Sequence, residues 1–392
     1  MQQEKVDTIS RISPLDIWTV CRTHWKTKVP MNLIGEPSTV KSEAIYQFGQ
    51  EQAEKEGRAF FDWNKSSEEK KREVAEKPKE FFIFADVRAS ETDIGELRLQ
   101  DMAHTNSYIT FKYNVLFHAM SKADAVGILF LDEMSNANNM IKQQFYKIIN
   151  DRAIGDIPLA DGVLVCSAGN QAEHSRAVTE DPVPLVLRRA NYFVRPLTDE
   201  EFLAYAVKDN FHPWVIGYLG FQPNDVHNLQ YDLPESVGQP CPRTWKLLNS
   251  ALADGMSVRD VEMLATGHIG QGVAKKFAAY VKAAMSINLK EILAKPEMIK
   301  QYERNIDEIS LVYAIISGVI DKFRGDSQII KPAFEMSLHF ERPEFGAFML
   351  RGLKQIDEKA FRKAGTTEKI LPKEVVDKVL ERYAKYLFKE VS

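Results

Sequence analysis

The chain has 392 residues, 44% of them apolar and 10% aromatic, which is enough to bury a sizeable core divided into two or three compact units and excludes a disordered chain. Lys plus Arg number 51 against 55 for Asp plus Glu, a formal net charge of -4, so no general field draws the chain to nucleic acid or to an anionic membrane. No apolar run approaches the roughly 20 residues that span a bilayer, and the opening stretch MQQEKVDTIS lacks the basic, apolar, small-residue order of a secretory signal, so a cytosolic protein is expected. The three cysteines, Cys21, Cys166 and Cys241, are widely spaced without a CxxC pair and read as small buried residues.

Over the first 200 residues strand-like and helix-like segments alternate, which predicts an α/β unit with a mostly parallel sheet flanked by helices. Residues 29–35 (VPMNLIG), 81–87 (FFIFADV), 126–132 (VGILFLD) and 162–168 (GVLVCSA) are short continuous apolar runs, the pattern of strands buried on both faces. A fifth run, 191–197 (NYFVRPL), ends near a proline. Helical patterns lie at 41–57, about 110–122, and 137–150. Residues 64–80 (NKSSEEKKREVAEKPKE) are highly charged and nearly devoid of apolar side chains, which predicts a solvated, partly helical insertion.

After Leu197 the strand signals stop. Thr198 stands three residues before Glu201, a capping-box spacing, and helical patterns follow at about 242–253, 257–265 and 270–285. The expected organisation is therefore an α/β unit over 1–197, a helical domain over 198–285 and a helical C-terminal extension over 286–392, ending in the amphipathic stretch PKEVVDKVLERYAKYLF.

The chemistry concentrates at strand ends. Gly35-Glu36-Pro37-Ser38-Thr39-Val40-Lys41-Ser42 follows a strand and opens a helix, as a phosphate-cradling loop requires. Lys41 would reach the β- and γ-phosphates of a nucleotide, and Ser42 would ligate Mg²⁺. Ser38 and Val40 stand where glycine is common in such loops. Because Val40 adjoins the helix start, right-handed backbone angles are expected there, leaving side-chain bulk as the only departure. Asp132 and Glu133 close a buried strand, where Asp132 could hold the Mg²⁺ shell and Glu133 polarise an attacking water. Asn170 ends the next strand, placed to order water or contact a γ-phosphate. The eight histidines form no HExxH motif, so no metal beyond Mg²⁺ is assigned.

The succession GEPSTVKS, ILFLDE, CSAGN, VPLVLRRANYF and PCPRTWKLL resembles the Walker A, Walker B, sensor 1, arginine finger and sensor 2 of AAA+ ATPases. Residues 132–170 resemble the MoxR-like branch in particular, and the likeness covers roughly 25–285. The resemblance implies an AAA+ P-loop NTPase core followed by a helical lid, ATP and Mg²⁺ bound between subunits of a homo-oligomeric, hexameric ring, and ATP hydrolysis coupled to remodelling of a protein client. It further implies that Arg188, or Arg189 beside it, reaches the nucleotide of a neighbouring subunit, that Arg243 acts from the lid of the same subunit, and that a hairpin near 153–159 faces a client. Such proteins are commonly associated with von Willebrand A-domain partners. Two alternatives remain from the residues themselves: an ATP-binding scaffold that scarcely hydrolyses, favoured by Ser38 and Val40, and a nucleic-acid motor, opposed by the acidic charge and the lack of a basic stripe.

Overall fold

The computed structural model describes residues 10–101, 111–171, 183–230, 237–305, 308–366 and 370–387. The chain divides into two compact units, 1–197 and 198–392.

The first unit runs β1 (Arg11–Ile12), α1 (Ile17–Thr27), β2 (Met31–Gly35), α2 (Lys41–Lys55), β3 (Ala59–Asp62), α3 (Glu68–Glu76), β4 (Phe81–Arg88), α4 (Ile94–Leu97), β5 (Arg98–Gln100), β6 (Phe111–Tyr113), α5 (Val115–Met120), β7 (Val126–Asp132), α6 (Asn139–Asp151), β8 (Ala153–Ile154), β9 (Ile157–Pro158), β10 (Gly162–Gly169), α7 (Val183–Val186) and β11 (Ala190–Val194). Seven strands form one sheet in the order β1-β11-β2-β10-β7-β4-β3, and every pairing in it is parallel. The strand runs are continuously apolar because both faces are covered. One face, with Leu33, Phe84, Ile128, Phe130 and Cys166, packs on Ile17 and Cys21 of α1 and on Ile45 and Phe48 of α2. The opposite face, with Ile83, Leu129, Leu131 and Val165, packs on Val74 of α3, Phe117 of α5, and Phe145 and Ile148 of α6. Strands β4 and β7 run so close that a Cβ at Gly127 would lie 2.0 Å from the Ile83 carbonyl oxygen, so only glycine fits there.

The second unit contains helices and connecting loops, with no strand among its described residues. Thr198 caps its first helix, Asp199–Lys208, through the reciprocal capping box read from the sequence: the Thr198 hydroxyl accepts from the Glu201 amide at 3.3 Å, and the Glu201 carboxylate accepts from the Thr198 amide at 2.8 Å. Tyr218, Trp245 and Phe277 form an aromatic centre with ring centroids 5.3 to 5.7 Å apart. Buried Asp225 ties into it, accepting from the Tyr218 hydroxyl at 2.6 Å, while its carbonyl accepts from the Trp245 indole at 2.8 Å. The helix Pro213–Phe221, inside the expected lid range, packs on Ile309–Gly325, inside the expected C-terminal extension. Gly217 makes this approach feasible, since a Cβ there would lie 2.6 Å from the Ser317 hydroxyl oxygen. Residues 198–285 and 286–392 thus share one compact unit.

Three expectations need correction. The sheet has two strands, β1 and β3, that were too short to be read as apolar runs. Of the helix expected over about 110–122, residues 111–113 form a strand paired with β5, and the helix is confined to Val115–Met120. The charged insertion is not a fully solvated excursion: α3 is capped by the Ser67 hydroxyl and buries Val74 and Ala75 at 0% and 4% exposure, because two apolar residues on one turn suffice to pin a short amphipathic helix. Val74→Ala is expected to destabilise the protein by about 1–3 kcal/mol, whereas Glu69→Ala on the exposed face should stay within about 0.5 kcal/mol. Urea unfolding of the two variants distinguishes a packed helix from a loose one.

Candidate functional site

Parallel strands deliver their C-terminal ends to one edge of the sheet, and the loops leaving that edge hold the motif residues together. β10 lies between β2 and β7, with Gly169 level with Ile34 on one side and Ser167 level with Leu131 on the other. Gly35, Asp132 and Asn170 therefore leave the sheet side by side.

Between β2 and α2 the chain turns through Glu36 to Val40. Ser38 and Val40 both adopt left-handed backbone conformations, with φ of 65° and 62°. The right-handed angles expected at Val40 are overturned. Val40 is the N-cap of α2 at ψ 12°, and its carbonyl still accepts from the Ala44 amide at 2.9 Å. The reason is geometric: a loop that aims its amides inward before starting a helix needs left-handed residues, which glycine supplies without cost. A β-branched residue there is an outlier, at a cost of about 1–3 kcal/mol.

Inside the turn the Lys41 ammonium, 8% exposed, donates to the carbonyl oxygens of Gly35 at 3.1 Å and Glu36 at 2.8 Å and to Thr39 Oγ1 at 2.9 Å. Thr39 Oγ1 in turn donates to the Glu36 carbonyl at 2.8 Å. One residue on, the Ser42 hydroxyl donates to Asp132 Oδ2 at 2.7 Å, joining the two motifs across 90 positions of sequence. Asp132 Oδ1 accepts from the Glu133 amide at 2.8 Å. Glu133 is left-handed, at φ 57°, and its carboxylate accepts a hydrogen bond from the Ser90 hydroxyl. The Asn170 amide is held by Ser135 Oγ at 2.9 Å, which fixes the backbone from which the Asn170 side chain springs.

The two arginines part company. Arg188 is exposed, on the turn after α7. Arg189 is 6% exposed and its guanidinium points inward, with Nε donating to Asn191 Oδ1 at 3.1 Å and Nη1 near Ser167 Oγ at 3.4 Å. The Arg189 guanidinium is thus turned onto the chain's own sheet. Arg243 is exposed in the first turn of the helix Pro242–Ala251, in the second unit. The hairpin of β8 and β9 is present over Ala153–Pro158, with Asp156 accepting from the Tyr113 hydroxyl.

Ser90, Ser135 and Asp86 escaped the reading of the sequence. Ser90 leaves β4, and nothing short of the strand order reveals that β4 neighbours the strand bearing Asp132 and Glu133. Asp86 lies on β4 with Oδ1 buried and lacking a hydrogen-bond partner among the described residues. Burial, reinforced by the Asp132 carboxylate and more weakly by Asp62 and Glu133, pushes it up to about 6 against the opposing pull of Arg88. It also borders a cleft of about 670 Å³ lined by Tyr46, Asp62, Asn64, Lys65 and Arg88. Among the described residues no group of three or more His, Cys, Asp or Glu could hold a metal, and no helix is long and apolar enough to cross a membrane.

No protein-family model and no curated protein matches the chain. Among solved structures it is similar to the ORC2 protein of Aeropyrum pernix in ADPNP and ADP complexes, at 8% identity over 90% of this chain and 94% of that one with a TM-score of 0.31. It is similar also to NtrX of Brucella abortus in complex with ATP, at 13% identity over 91% and 72% with a TM-score of 0.30. The C. elegans protein PCH-2 matches at 12% identity over 80% and 67%, with a TM-score of 0.28. Likenesses this distant carry neither a family nor an activity to the chain.

Two measurements check the site's energetics. Val40→Gly is expected to stabilise the protein by about 1 kcal/mol, strain relief outweighing the added chain entropy. With a right-handed Val40 the same change would destabilise it, so the sign of the shift in thermal midpoint decides. For Asp86 the folded value lies above the ordinary carboxyl value of roughly 4, so the fold disfavours the ionised form. That penalty is absent below about pH 4, grows as pH rises, and is complete above about 6. Asp86→Asn should therefore raise the thermal midpoint at pH 8, with the gain shrinking toward pH 4.

Proposed function

We propose that the chain is an AAA+ ATPase of the MoxR-like type, binding ATP at the turn between β2 and α2 and hydrolysing it with Glu133. The observation that carries this reading is the bond from the Ser42 hydroxyl to Asp132 at 2.7 Å. It brings a helix-opening hydroxyl and a strand-end carboxylate together beside a lysine-bearing loop at the N-terminus of a 15-residue helix. That is the donor set a nucleoside triphosphate and its magnesium ion need.

The residues fit magnesium. Mg²⁺ takes hard oxygen ligands, usually one or two from protein with the rest from phosphates and water, and Ser42 and Asp132 would hold it. When bound it supplies charge neutralisation at the β- and γ-phosphates. The chain does the rest. The backbone amides from Ser38 to Ser42, with that of Glu36 but not Pro37, which has no N–H, and the dipole of α2 would bind the phosphates. Lys41, drawn off the carbonyls of Gly35 and Glu36, would follow the negative charge. Glu133 would accept the proton of the attacking water, and Asn170 would orient that water. Arg188, exposed on its turn, would meet the γ-phosphate held by a neighbouring copy in a hexameric ring, and Arg243 would act as the second arginine that the resemblance implies. A protein client, a von Willebrand A-domain protein first among candidates, would receive the resulting motion.

A second reading, an ATP-gated scaffold with little turnover, is favoured by two observations. Ser38 and Val40 carry side chains at left-handed positions, where their bulk would crowd the phosphates, and the hydrogen bond from Ser90 engages the Glu133 carboxylate. Steady-state phosphate release and ATP affinity test both. Lys41→Ala is expected to weaken ATP binding about ten- to hundredfold through loss of charge-assisted hydrogen bonds. Glu133→Gln should bind ATP normally and lose about a hundredfold or more in turnover. A native rate equal to that of Glu133→Gln, with ATP still driving assembly, selects the scaffold. An ATP affinity unmoved by Lys41→Ala sinks both readings.

A further inference from the structure

The sheet carries a polar row where its neighbours are apolar. Asn191 of β11, Asn32 of β2 and Ser167 of β10 stand at one level across three adjacent strands. Asn32 and Ser167 are 3% and 1% exposed. By alternation with Leu33 and Cys166, which face α1 and α2, both side chains fall on the opposite face. The Arg189 guanidinium caps this row.

One wiring of the row gives the Arg189 Nε, Nη1 and Nη2 an acceptor each. With the Asn32 amide turned to present its oxygen to the guanidinium, it accepts from Arg189 Nη2 at 3.0 Å, and its nitrogen donates to Ser167 Oγ at 2.8 Å. Ser167 Oγ then donates to the Met31 carbonyl at 3.3 Å. Asn191 accepts from Arg189 Nε and donates through Nδ2 to the carbonyl oxygens of Val186 at 2.9 Å and Arg189 at 3.1 Å. The Val186 carbonyl belongs to the turn on which Arg188 sits. Leu185, 1% exposed, anchors the other end of that turn in the apolar core, and the Arg188 amide donates to the Leu185 carbonyl at 3.0 Å. Between the two anchors Val186, Leu187 and Arg188 are exposed, Leu187 at 78%.

A buried arginine is a costly way to fill space. Its fork, however, reaches three strands at once: β11, the strand that ends in the phosphate-loop candidate, and the strand that ends at Asn170. We infer that Arg189 is a positioning residue, whose buried fork sets the height and direction of the Arg188 turn relative to the strands carrying Gly35 and Asn170. The inference rests on the proposed ATPase reading, in which Arg188 acts on a neighbour's γ-phosphate. It gives the second arginine a task distinct from the first: Arg188 touches the reacting group, and Arg189 holds it there.

The test compares Arg188→Ala, Arg189→Met, Arg189→Lys and the Arg188→Ala/Arg189→Met double variant, using the full chain. Readouts are ATPase kcat and KM, the Kd of a fluorescent ATP analogue, and oligomeric state in ATP. Arg189→Met is expected to lower kcat about tenfold to a hundredfold, the scale of an ångström-sized misplacement, with KM and analogue Kd within about threefold of native and assembly retained. The double variant should be no slower than Arg188→Ala alone, since a misplaced arginine that is already absent costs nothing further. Arg189→Lys, keeping charge without the fork, should recover part of the loss. If Arg189→Met does not fold, Asn191→Ala, which keeps the Arg189 guanidinium but removes the bonds from Asn191 to the Val186 and Arg189 carbonyls and to Arg189 Nε, is expected to show the same fall in kcat at constant KM.

A native kcat in folded Arg189→Met overturns the inference alone, as does a double variant in which the two losses multiply. A kcat unaffected by Arg188→Ala overturns the reading of Arg188 and the inference with it.

Discussion

The backbone of five residues, Glu36 to Val40, is the constraint on which the rest of the site depends. The chain must pass from an extended strand to a helix within that span, and it does so through left-handed angles at Ser38 and Val40. Strain of that kind persists only where the surroundings over-determine it. Here they do: Gly35 lies against β11 so tightly that a Cβ would meet the Val194 carbonyl oxygen at 2.6 Å, and Thr39 and Lys41 bond back onto the carbonyls at the loop's start. The rigid floor beneath is the parallel sheet, whose buried rows leave β2 no freedom to relax.

Much of this was legible in the residues. Continuous apolar runs located β2, β4, β7 and β10 to within two residues, because strands covered on both faces have no reason to alternate. Thr198 and Glu201 marked the start of the helical unit because a capping box is a local device, complete within four residues. What stayed hidden was non-local or small. β1 has two residues and β3 four, too few for periodicity to register. Val74 and Ala75 were lost among charged neighbours, although two side chains seated under α3 outweigh a solvated remainder.

The backbone at Val40 was misjudged for an instructive reason. Adjacency to a helix suggests helical angles, but an N-cap stands outside the helix and takes the conformation its turn demands. Likewise Arg188 and Arg189 are indistinguishable as letters. Only the strand order, which sets Asn32 between Ser167 and Asn191, creates a place for one guanidinium to go inside. Partnerships such as Ser42 with Asp132, or Ser90 with Glu133, similarly follow from which strands are neighbours, a property no window of sequence contains.

The lengths of the outermost strands carry a consequence for self-association. A parallel sheet can in principle grow by adding another chain's strand at either margin, and a long flat margin invites aggregation. Here one margin is the two-residue β1 and the other the four-residue β3, which ends in Asp62 with Lys65 paired to it at 2.9 Å. Neither offers more than a few peptide groups as a template. Among the described residues, then, the sheet margins give little backbone for another copy to extend, and recognition between copies falls to side chains, where charge and shape can discriminate.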